Sequence, residues 1–112
     1  MSTQLAIYEE TAAIHELMSH PVRLLIIHAI RRRGGLASWS DIEDEIRRTV
    51  GKDLNPNVIN FHLTKLIRGG IVKRDDLGNY SLSMTEVGPI LRTLLESTLR
   101  QIEMKERGAK SD

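Results

Sequence analysis

Residues 55–80 read NPNVINFHLTKLIRGGIVKRDDLGNY, and their order of helix, glycine pair and hairpin decides the fold. Asn55 is a good N-cap, because its side-chain oxygen can accept from a free backbone N–H of the first turn. Pro56 suits the first helical position, where a missing N–H is no loss. Ile59, Leu63 and Leu66 recur at i, i+4 and i+7, an apolar stripe on a helix from about Pro56 to Arg68. Asn57, Asn60, Phe61, Thr64, Lys65 and Arg68 fall largely outside that stripe. Gly69-Gly70 closes the helix, since glycine enters the left-handed cap conformation without penalty. The run from Ile71 to Arg74 predicts a strand, Asp75 to Asn79 a turn, and Tyr80 to Met84 an alternating return strand.

Upstream of this stretch the pattern predicts three helices. The first spans Thr3 to Met18, with Ile7, Ile14 and Met18 on one side and Leu5, Tyr8 and Ala12 on another. Ser19-His20-Pro21 breaks it, and Pro21 opens a second helix that runs to Arg33. Leu24, Leu25, Ile26 and Ile27 make that helix apolar nearly all round, which places it at the centre of the fold. Arg31, Arg32 and Arg33 close it, where cations favour the helix dipole, and Gly34-Gly35 ends it. Leu36 to Trp39 suggests a very short strand, with Trp39 as a core or hairpin anchor. Ser40-Asp41-Ile42-Glu43 fits a capping box and predicts a third helix with Ile42, Ile46 and Val50 on one face. Asp41, Glu43, Asp44 and Glu45 crowd its start and read as capping and solubility, not as a paired acid and base.

Downstream, Thr85 opens a last helix from Glu86 to about Lys105, with Gly88-Pro89 loosening its first turn. Val87, Ile90, Leu91, Leu94, Leu95, Leu99 and Ile102 keep a 3–4 spacing along it. That stripe is wider than a three-helix core with a hairpin can cover, and an uncovered apolar face of this size marks a partner surface. The expectation is a two-fold dimer through the first and last helices of both chains. Leu5, Tyr8, Ile14, Leu91, Leu94, Leu95, Leu99 and Ile102 would form its interface.

The chain of 112 residues predicts one domain over residues 1–107, with 108–112 as a frayed tail. The fold class expected is mainly α with a small β-hairpin, built from about five helices. Aromatic content of 4% leaves the core to Ile, Leu and Val. The absence of cysteine excludes disulfides, thiolate catalysis and cysteine-ligated zinc or iron–sulfur centres. No apolar run approaches the ~18 residues of a membrane span, and the N-terminus lacks signal-peptide features. A cytoplasmic, nucleoid-associated protein without membrane contact is expected.

The net charge of +1 hides a strong segregation. Residues 1–20 carry Glu9, Glu10 and Glu16 without a base. Residues 21–33 carry Arg23 and the triple arginine without an acid, and residues 51–74 carry Lys52, Lys65, Arg68, Lys73 and Arg74 against Asp53. A one-sided basic face is the footprint that phosphate binding needs.

Taken together, the chain resembles winged-helix transcriptional regulators of the ArsR-like type, in a form common among archaeal regulators. The resemblance covers about residues 18–95. MSHPVRLLII, from Met18 to Ile27, is similar to the family's opening L-S-x-P-x-R-x-x-I-L, with Ser19, Pro21, Arg23 and Ile26 in register. INFHLTKL, from Ile59 to Leu66, is similar to V-S-x-H-L-x-x-L, and Gly70-Ile71-Val72 to the G-L-V that follows. Asn79 to Leu82 resembles the end of the wing, and Met84 to Gly88 the L-T-x-x-G that opens the last helix. The chain departs from the family in having Asn60 where Ser is usual, Phe61 where a polar or basic residue is usual, and Asp75 and Asp76 at the wing tip. It also lacks the cysteines and histidines through which family members sense metals, so no metal is expected.

The resemblance implies a homodimeric helix-turn-helix regulator, a repressor by default, that binds double-stranded DNA with one helix in the major groove. The residues expected to touch DNA are Asn55, Asn57, Asn60, Phe61, Thr64, Lys65, Arg68, Lys73 and Arg74. Asparagine pairs bidentately with adenine, and Lys65 can reach guanine or phosphate. Arg68, Lys73 and Arg74 suit phosphate better. Arg23 has two roles open to it, a phosphate contact or a local cap or pair. His62, beside the apolar stripe, reads as a packed structural histidine. No phosphate loop, nucleophile elbow or HExxH motif is present, so neither an enzyme nor a cofactor is expected, and no residue names an effector. Two rival roles remain: a weakly selective chromatin-like DNA binder, and a winged helix used as a protein-interaction module.

Overall fold

The computed structural model describes residues 3–83 and 88–111. It is a mainly helical α+β fold with five helices and a small antiparallel sheet. The order is α1 (Thr3–Leu17), α2 (Pro21–Arg32), β1 (Leu36–Ala37), α3 (Trp39–Val50), α4 (Pro56–Arg68), β2 (Val72–Arg74), β3 (Tyr80–Leu82) and α5 (Gly88–Ser111). The sheet runs β1-β3-β2, with Ala37 opposite Tyr80 and Arg74 opposite the same tyrosine on its other side. The expected strand end at Met84 and the helix start at Thr85 or Glu86 lie outside the described residues. So do the side chains of Ile90 and Leu91.

α2 occupies the centre, as its all-round apolar composition predicts. It packs on α3, α4, β1 and β3 and buries Ile26, Ile27 and Ile30 completely. Ile42 and Ile46 from α3, Ile59, Leu63 and Leu66 from α4, and Ile71 and Val72 at the start of the hairpin complete the core around it. Burying each such side chain contributes about 1.5–3 kcal/mol before the entropy of ordering is subtracted.

Two local expectations need correcting. The capping box lies two residues earlier than Ser40–Glu43. Ser38 Oγ accepts from Asp41 N at 3.1 Å, and Asp41 Oδ2 accepts from Ser38 N at 3.0 Å. Both registers satisfy the Ser-x-x-acid pattern, and the earlier one wins because it brings Trp39 into the first turn, packed against the core. The hydrogen bond from the Ser38 backbone, reinforced by its hydroxyl and by Arg33, holds the Asp41 carboxyl below the usual carboxylate range. Replacing Ser38 by Ala is expected to lower the unfolding free energy by about 1 kcal/mol. Urea titration would show this, and an unchanged midpoint would return the cap to Ser40.

The second correction concerns α5. Leu95 and Leu99 are fully buried in the chain's own core, and Leu94 packs against it. Leu95 and Leu99 present no surface to a second chain, whereas Leu94 is half-buried. α5 extends as helix past Gly108 to Ser111.

At the end of α4 the two glycines serve different needs. Gly70 takes φ of +81°, the left-handed turn into the hairpin. Gly69 has an ordinary helical φ of −79°, so its need is for space: a Cβ there would collide with the side chain of Leu17.

Candidate nucleic-acid interface

α4 is held by its apolar stripe and by its cap. Asn55 Oδ1 accepts from Asn57 N at 2.8 Å, and Ile59, His62, Leu63 and Leu66 face inward. This leaves Asn55, Asn57, Asn60, Phe61, Lys65 and Arg68 exposed and Thr64 half-buried. α4 also packs against β2, whose Lys73 and Arg74 are exposed. The nine residues expected to touch DNA therefore lie on α4, its cap and the adjoining strand. Val58, absent from the residues expected there, joins them at 42% exposure. The sequence carries a signal for it: Val58 lies one residue before Ile59, 100° around the helix from it.

His62 behind this face is buried and packed, and its Nδ1 accepts from Arg23 Nε at 3.2 Å. The ring of His20 lies against it with centroids 3.9 Å apart, and Phe61 meets it edge-on at 5.1 Å. His20 is itself fixed, because its Nδ1 caps α2 by accepting from Val22 N. Of its two open roles, Arg23 takes the local one here: its second donor goes to the Glu16 carbonyl oxygen at 3.2 Å.

Burial first, then His20 and Arg23, push the His62 pKa below its ordinary value of 6.5. The unfolded chain therefore binds this proton before the folded one does. His62 contributes its stability fully above pH 6.5, and that contribution is lost as pH falls through the lower folded value. Denaturant midpoints are expected to drop between pH 7.5 and 5.5, with a smaller drop in His62→Asn, which keeps an acceptor and cannot titrate. Equal drops in both chains would remove His62 as the cause.

The triple arginine does not extend the basic face. Arg31 meets Glu96 at 2.7 Å and Glu103 at 3.5 Å, and Arg32 meets Glu106 at 2.6 Å. Arg33 meets Asp41 and the buried Glu45, both at 3.0 Å. His28, buried between the same helices, faces Glu103 through Nε2 at 3.5 Å and Glu106 through Nδ1 at 3.7 Å. These groups clamp α2 to α3 and α5. The charges of the triple arginine are thus paired with carboxylates of α3 and α5, and exposed cations stand on α4 and β2 as well as on α3, in the α3–α4 link and on α5.

At the hairpin tip Asp75 is a turn-former. Its Oδ1 accepts from the backbone N–H groups of Leu77 and Asn79, both at 2.9 Å. Arg74 lies over the Tyr80 ring at 5.9 Å, on the α4 side of the tip acids in the chain.

The residues expected at a dimer interface are dispersed. On α1, Leu5 and Tyr8 are 59% and 73% exposed, as is the neighbouring Ile7 at 57%, while Ile14 packs against the core. On α5, Ile102 is half-buried and Met104 is exposed.

Among the described residues no helix is long and apolar enough to cross a membrane, and no group of three or more His, Asp or Glu side chains is placed to hold a metal ion. No family model, curated protein or solved structure matches the chain.

Proposed function

We propose that this chain is a winged-helix protein that binds double-stranded DNA as a homodimeric transcriptional regulator, with α4 in the major groove and β2–β3 as the wing. The observation that carries the reading is the division of α4. One face is anchored by four buried residues, and the other offers asparagines, Phe61, Lys65 and Arg68 to solvent beside the cations of β2. A helix 10–12 Å across fits a major groove about 12 Å wide. Lys65, Arg68, Lys73 and Arg74 suit phosphate, and the asparagines suit adenine. The exposed apolar residues of α1 support pairing of two chains, with Leu5, Ile7 and Tyr8 in place of the buried Leu95 and Leu99.

Selection from randomised duplexes at two salt concentrations tests this reading. A regulator enriches an inverted repeat with half-sites one helical turn apart or a multiple of it. Retention of all sequences with steep salt dependence would favour a chromatin-like role. No retention at low salt would favour a protein-interaction module, a reading to which the exposed Leu77 at the acidic hairpin tip lends itself.

A further inference from the structure

Two apolar side chains interrupt the polar face of α4. Val58 is 42% exposed and Phe61 56% exposed. They stand three residues apart, so they are neighbours on the helix surface. Neither belongs to the buried stripe, and Asn57, Asn60 and Thr64 run beside them.

The Phe61 ring is held in place. His62 meets it edge-on, and Lys65 Nζ lies 5.4 Å from its centroid. His62 is in turn fixed by the Arg23 hydrogen bond and by the His20 ring. The exposed ring is therefore backed by a stack that reaches the first turn of α2, and little ordering is left for a ligand to impose on it.

An apolar side chain cannot hydrogen-bond a base edge. In the major groove the apolar feature available to it is the C5-methyl group of thymine. The asparagines beside them have adenine as their bidentate partner. Lys65 and Arg68, the cations of the helix that could read guanine, are assigned above to phosphate. Both chemistries on this face select the same base pair.

We propose that Val58 and Phe61 form an apolar contact for thymine methyl groups, so that α4 selects A·T pairs at the base steps it faces. The proposal rests on the duplex-binding reading above.

Deoxyuridine provides the test, because it removes the methyl group and keeps the pairing edge. Duplexes retained from the randomised pool are resynthesised with deoxyuridine in place of thymidine, and the full chain is titrated against both forms. The thymidine form is expected to bind tighter by about fourfold for each methyl contacted, the worth of about one buried methylene. Phe61→Ala and Val58→Ala are solvent-side changes, and their thermal unfolding is checked alongside. Both are expected to shrink the thymidine-to-deoxyuridine ratio, Phe61→Ala towards one. A ratio of one in the unaltered chain, with duplex affinity intact, overturns the methyl contact and leaves duplex binding standing. A ratio that persists in both variants, or enrichment of G·C-rich sites, overturns it equally. Failure to retain any duplex at low salt removes the duplex-binding reading and this proposal together.

Discussion

Leu99→Ala is expected to lower the unfolding free energy by about 2–5 kcal/mol, the range for truncating a buried leucine. Leu99 is fully enclosed, as is Leu95 one turn earlier, so the deleted atoms leave a cavity in the core. Unfolding by urea at fixed protein concentration gives the number directly. Met104→Ala on the same helix serves as the comparison, because Met104 is 60% exposed and its truncation is expected to change stability by less than about 0.5 kcal/mol. The contrast separates two views of α5. A helix that belongs to the domain loses folding stability in Leu99→Ala at every protein concentration. A helix reserved for association loses stability only where dimers form. A Leu99→Ala stability within about 0.5 kcal/mol of the unaltered chain would contradict the interior placement of the stripe.

Removing both Lys65 and Arg68 as alanines is expected to weaken duplex binding by roughly 10- to 100-fold at about 0.1 M salt. The slope of log affinity against log salt should become shallower by about one for each phosphate left without its cation. Both residues are exposed on α4, so folding stability should stay within about 0.5 kcal/mol. Arg31→Ala provides the control. Arg31 is paired with Glu96 and Glu103, so its loss should lower stability and leave the salt slope in place. Fluorescence anisotropy with a labelled duplex from the enriched pool reads both quantities. Unchanged affinity and slope in the double variant would mean that α4 does not face the backbone. A shallower slope in Arg31→Ala would mean that the inward pairing of α2 opens on binding.

The stretch from Asn55 to Tyr80 is legible because its punctuation is local. Asn-Pro starts the helix, Gly-Gly ends it, and the buried face follows from the helical period of 3.6 residues. The exposed face of α4 is legible for the same reason, apart from Val58, whose apolar character suggests the inside although its angular position lies outside. The capping register of α3 is less accessible, because Ser38 and Ser40 both head a suitable tetrad and the choice depends on where Trp39 packs. The charge pairing is least accessible. Glu96 lies 65 residues beyond Arg31, and Glu106 lies 74 beyond Arg32, and nothing in their spacing announces the pairing. The burial of Leu95 and Leu99 has the same origin. Periodicity shows that a helix has an apolar face, but what covers the face is a property of the assembled chain.

The bare Cα of Gly69 has a geometric consequence. Leu17, in the last turn of α1, fills the space that any larger residue at 69 would need. The last turn of α1 and the end of α4 are therefore in direct contact near the surface. The outer half of α1 stands clear of the domain, with Leu5, Ile7 and Tyr8 in water. A partner seated on that arm therefore lies within one helix length, about 22 Å, of the helix that offers Asn57, Asn60 and Phe61 to the outside.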